Sequence, residues 1–224
     1  ADAEAANALK KDFEKCDIFI PEITDWGDDQ EESWNQLSEG TLNAEKFMRD
    51  VSFFFGEFNF PEFVFAESKM ICGSKKPIIF IDVGEDHPIL DFMSKSKERF
   101  SDSAMASLRF DDLFKATRDY VLEEGKLNKE REQVIVQNLP IRVRSFLNKN
   151  PEFKKRSELN ILIVLGNAHT PVFHKMKSEG LEVDRKFKNL EIFSIDSGIS
   201  RAFTFGKEIS EDTIAQYLLR RFIA

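Results

Sequence analysis

Histidine is scarce in this chain, and one of its three copies, His169, stands at the end of an apolar run. It closes Gly166-Asn167-Ala168-His169, directly after Ile161-Leu162-Ile163-Val164-Leu165 and directly before Thr170-Pro171. In an open α/β sheet, ligands bind just outside the carboxyl ends of strands. A glycine there lets the backbone turn sharply or approach a ligand. An imidazole there can bind a metal or move a proton near neutral pH. Packing at a strand–helix junction accounts for the same residues about as well. His174 lacks the i,i+4 spacing of a helical zinc pair and reads as a surface residue. His87, in Gly84-Glu85-Asp86-His87, has acidic neighbours that helix capping explains. Two carboxylates also close apolar runs: Glu22 after Ile18-Phe19-Ile20-Pro21, and Asp82 after Ile78-Ile79-Phe80-Ile81. A charge inside such a run is costly unless it is paired or used. Two of them at one end of a sheet would make a metal or acid–base site, although turn capping is the commoner role of either alone. Arg131, in Asn128-Lys129-Glu130-Arg131-Glu132-Gln133, could clamp a carboxylate bidentately. Without that context the segment is an ordinary charged helix start.

These residues need elements to hold them. Apolar spacing predicts helices over residues 1–15, 42–55, 88–99, 103–122, 128–147, 170–180 and 209–222. Gly125 separates the fourth from the fifth, and Pro140 is expected to bend the fifth. Buried strands are predicted over residues 16–23, 77–84, 160–166 and 189–195. Residues 25–39 are polar, carry both tryptophans, and read as a loop with a short helical piece. Alternating strands and helices of this kind predict an α/β fold, with a mixed or mostly parallel central sheet flanked by helices, in a single domain over residues 1–224. Seven of the 23 phenylalanines fall between Phe53 and Phe65. Such clusters are more often core than a groove for a peptide or a flat cofactor. No Walker loop, nucleophile elbow or dinucleotide fingerprint is present.

The formal charge of −8 and the acidic isoelectric point argue against nucleic acid and anionic membranes as partners. Lys154-Lys155-Arg156 is too short a basic run to reverse this. No stretch approaches the roughly 20 apolar residues of a transmembrane helix, so a soluble protein is expected, cytoplasmic or exported after removal of an N-terminal segment. Cys16 and Cys72 have no metal-like spacing and read as buried or half-buried thiols.

The order of these motifs resembles the TraB/TIKI/GumN-like family, with erythromycin esterase-like and ChaN-like proteins as distant relatives. The resemblance rests on Ile18-Phe19-Ile20-Pro21-Glu22, on Lys76-Pro77-Ile78-Ile79-Phe80-Ile81-Asp82, on Glu130-Arg131-Glu132, on Gly166-Asn167-Ala168-His169 and on Gly180-Leu181-Glu182-Val183. It implies hydrolysis of a peptide or ester bond, assisted by a divalent metal (manganese, zinc or cobalt). Glu22 and His169 would form the core of the site, either binding the metal or with Glu22 activating water and His169 as its partner. Arg131 would hold a substrate carboxylate or stabilise developing negative charge, with Asp82 and Glu130 in support. A peptide or small molecule is the implied substrate, and a homo-oligomer is compatible with the sequence. Three departures stand out. Asp82 replaces the usual glutamate, Glu132 replaces the usual asparagine, and the first Gly-x-x-His is missing, so that its strand is expected upstream of Ala1 or lost. The missing motif and Glu132 favour the alternative, a non-catalytic scaffold of the same fold that binds a peptide or a flat apolar cofactor such as haem, while the retained Glu22, Arg131 and His169 favour the enzyme.

Overall fold

The computed structural model describes all residues except 1, 25, 56–60, 100–108, 167–168, 187–197, 200–201, 204 and 224. In chain order its elements are α1 (Asp2–Lys15), β1 (Ile18–Ile20), α2 (Asp28–Glu39), α3 (Ala44–Phe55), α4 (Pro61–Ile71), α5 (Pro88–Arg99), α6 (Phe110–Lys149), α7 (Pro151–Lys154), β2 (Ile161–Ile163), α8 (Thr170–Ser178) and α9 (Glu211–Ile223). The chain divides into two compact units. The first comprises Ala1–Ile81, Leu139–Val164 and Lys186–Leu190; the second comprises Asp82–Asn138, Leu165–Arg185 and Glu191–Ala224.

In the first unit β1 lies between two parallel neighbours. On one side it pairs with β2 in the register Ile18↔Ile161, Phe19↔Leu162 and Ile20↔Ile163. On the other side Phe19 bridges Ile78, giving its N–H to the Pro77 carbonyl and accepting from the Ile79 N–H. All three β1 residues are buried, which explains a continuous apolar run without alternation. Among the described residues helices predominate and the sheet is small and parallel, smaller than the central sheet expected. The strand predicted over residues 189–195 lies outside the described residues.

The polar stretch before Gly40 is a full helix, α2, and not a loop. Its side chains close the outer edge of the Ile78–Phe80 segment. Asn35 accepts from the Ile78 N–H at 2.9 Å and donates to the Ile78 carbonyl at 3.0 Å. One turn earlier, Glu31 accepts from the Phe80 N–H at 2.8 Å. Arg142 completes the edge, donating to the Phe80 carbonyl and pairing with Glu31 at 2.6 Å. Side-chain amides and carboxylates thus replace a further strand, and the edge offers no row of open backbone groups. An adjacent face of α2 carries Trp34 and Leu37 into a core with Phe13, Phe19, Phe47, Ile71 and Phe80. Trp34 meets Phe47 edge-on at 5.0 Å and Phe80 at 6.0 Å, a geometry that adds about 0.5–1.5 kcal/mol per pair to area burial. The helix ends at Gly40, whose φ of 81° is left-handed.

In the second unit α6 runs unbroken through Gly125, where a boundary was expected, and on through Pro140 into the first unit. A packing contact fixes the glycine: a Cβ at position 125 would lie 2.0 Å from the Phe203 ring. Around it Tyr120, Val121, Ile199 and Tyr217 are buried, with Phe92 stacked on Tyr120 at 5.2 Å. Cys16 and Cys72 are free thiols. No helix of the described residues is long and apolar enough to cross a membrane.

Candidate functional site

Asp82 is the first residue of the second unit and only 1% exposed. Its Oδ1 accepts from the Val83 N–H and from Arg131 Nε, each at 2.8 Å, and its Oδ2 accepts from Arg131 Nη2 at 2.5 Å. This is a buried fork-to-fork ion pair. The guanidinium edge that would clamp a ligand carboxylate is therefore occupied by Asp82. Glu130, its neighbour on α6, is exposed.

The next residue along α6, Glu132, is 2% exposed. Burial pushes its carboxyl up to about 7, against the opposing pull of His169, Lys175, Arg131 and Lys129. Desolvation of the anion wins over four cations or potential cations. His169 is itself buried and precedes the first turn of α8, and its N–H donates to the Gly166 carbonyl at 3.0 Å. Lys175 follows on α8, with Nζ buried and without a hydrogen-bond partner among the described residues. His174 is exposed. His87 serves the start of α5, its Nδ1 accepting from the Ile89 N–H at 3.2 Å.

Glu22 belongs to the first unit and His169 to the second. Within the first unit the neighbour of Glu22 is a residue that sequence reasoning missed, Glu67 of α4. Glu67 is 3% exposed, and its Oε1 has no hydrogen-bond partner among the described residues. Burial, and then the Glu22 carboxylate, push its carboxyl up to about 8. Both missed acids had a signal. Glu67 falls on the helical stripe with Phe63 and Ile71, and Glu132 on the stripe with Val121, Gly125 and Ile135. An acid on an apolar stripe is a buried acid.

Among the described residues no group of three or more His, Cys, Asp or Glu side chains is arranged to hold a metal ion. The setting of Glu132 and His169, with Arg131, Lys175 and Lys129 about them, opposes a further cation. Among the described residues the charges about His169 thus disfavour the divalent metal that the resemblance implies. Of the phenylalanine-rich run, residues 56–60 lie outside the described residues, and Phe63 and Phe65 are half-buried. No protein-family model matches the chain, and neither a curated protein nor a solved structure does so.

Proposed function

We propose that this protein hydrolyses a peptide or ester bond by general acid–base chemistry, with Glu132 and His169 as the acid–base pair. The observation that carries the reading is Glu132: a carboxyl buried beside a buried histidine and raised to about 7. A catalytic acid or base works best when its pKa lies near the working pH, and perturbed groups of this kind cluster at functional sites. The Glu132 carboxylate takes a proton from water as the water oxygen bonds to the carbonyl carbon. His169 delivers a proton to the leaving amine or alkoxide as the carbon–nitrogen or carbon–oxygen bond breaks. Asp82 and Arg131 act as positioning residues, since their ion pair fixes the turn of α6 that carries Glu132. A motif order that resembles that of TraB/TIKI/GumN-like proteins supports the same reaction class. No metal takes part in this scheme.

The test is the pH profile of hydrolysis of p-nitrophenyl acetate and of a mixed peptide substrate, between pH 5 and 9. The general base must be ionised, so the rate should rise with pH through about 7. Glu132→Gln should remove that step and lower the rate by roughly 10²–10⁴, and EDTA should leave the parent rate unchanged. Full activity in Glu132→Gln, or a parent profile flat across neutrality, would sink the assignment.

A further inference from the structure

Lysine ordinarily lays its methylene stem on the protein and keeps its ammonium in water. Lys175 does the reverse. The residue as a whole is only partly buried, yet its Nζ is buried and has no hydrogen-bond partner among the described residues. A buried ammonium without a hydrogen-bond partner is strongly unfavourable. The Arg131 guanidinium is already matched by Asp82. Glu132 acts on Lys175 through space without bonding to it, and as an acid titrating near neutrality it carries only part of a negative charge there. One ammonium on α8 is left without a hydrogen-bonded counter-charge among the described residues, within the electrostatic surroundings of Glu132.

We propose that Lys175 Nζ is the recognition group for a carboxylate on the ligand, so that the substrates are acidic: peptides or esters with a free carboxylate close to the bond that is cut. One ammonium without a bonded counter-charge matches a monoanion. A phosphate dianion would set a second negative charge against Glu132. Calling the ligand a substrate rests on the hydrolase reading; the anion site itself stands on Lys175 alone.

The experiment is a titration of the full chain with N-acetylglycine, followed by amide chemical shifts, with N-acetylglycinamide as the neutral control and inorganic phosphate as the competing anion. The parent should bind N-acetylglycine in the millimolar range and the amide at least tenfold more weakly. Lys175→Met should lose at least tenfold in affinity for the acid, and Lys175→Arg should keep part of it. Removing an unpaired buried charge should also leave the Tm of Lys175→Met equal to or above the parent's, so lost binding cannot be put down to unfolding. Equal binding of acid and amide, unchanged binding in Lys175→Met, or a Lys175-dependent preference for phosphate would each overturn the carboxylate assignment. Carboxylate binding in a protein that hydrolyses neither test substrate would leave the anion site standing and remove the hydrolase.

Discussion

At the scale of the single residue, the Asp82–Arg131 pair shows how an ion pair can be both indispensable and replaceable. Both partners are buried, and the carboxylate accepts two guanidinium donors and one backbone N–H. Asp82→Asn leaves the Arg131 charge buried without its counter-charge, which should destabilise the second unit by about 3–5 kcal/mol. Replacing both partners together, as Asp82→Leu with Arg131→Met, should cost far less, because no charge is stranded. Urea denaturation midpoints of the two variants give the comparison, and equal losses would refute it. Part of the site was legible from residue types alone. His169 and Asp82 stood out because an imidazole or a charge closed an apolar run, and Arg131 because its guanidinium could clamp a carboxylate. Glu132 was read as a departure from a motif, and Lys175 carried no signal at all. Burial of a side-chain tip depends on what packs over it, and neighbours in space leave no trace in the local sequence.

At the scale of the element, Gly125 inverts an ordinary expectation. Glycine inside a helix is a weak point, and alanine there normally gains up to about 1 kcal/mol. Here the Phe203 ring occupies the space that a Cβ would need. Gly125→Ala should therefore destabilise, by about 1–3 kcal/mol as overpacked positions do, and Phe203→Ala should recover part of the loss when the two are combined. Thermal unfolding of both single variants and the double variant reads this, and a stabilised Gly125→Ala would refute it. The same contact explains why residues 103–147 read as two helices. Sequence signals a helix end by glycine, and only the tertiary contact shows that this glycine serves a close approach. The misread stretch before Gly40 has a parallel cause. Glu31 and Asn35 look like solvent-facing residues, but they are spaced i,i+4 and bond the edge of the Ile78–Phe80 segment. Long apolar runs such as Ile18–Ile20 and Ile161–Ile163 were legible because few other elements tolerate them.

At the scale of the whole molecule, two buried acids set how stability depends on pH. Glu67 titrates near 8 in the folded chain against an ordinary value of 4.5, and Glu132 near 7. The folded state therefore holds protons that the unfolded state releases above pH 4.5. Stability should fall as pH rises from about 4.5 to 8, by up to about 1.4 kcal/mol per pH unit for each group, with no further loss from Glu67 above its folded value. Glu67→Gln should flatten the slope between pH 5 and 8 and stabilise the protein at pH 8. Urea midpoints across that range decide it, and stability that climbed with pH would contradict the burial of both acids. The sheet has a further consequence, for how the chain is made. The hydrogen bond from the Asn160 N–H to Asp17 beside the β1–β2 pairing spans 143 positions of sequence. At ribosomal speeds of about 5–20 residues per second, β1 emerges on the order of ten seconds before its partner exists. Once Ile78 has emerged, a nascent chain can complete that side of β1 while the other edge stays open. A ribosome that stalls before residue 160 would release the chain in the form most prone to pair with a neighbour.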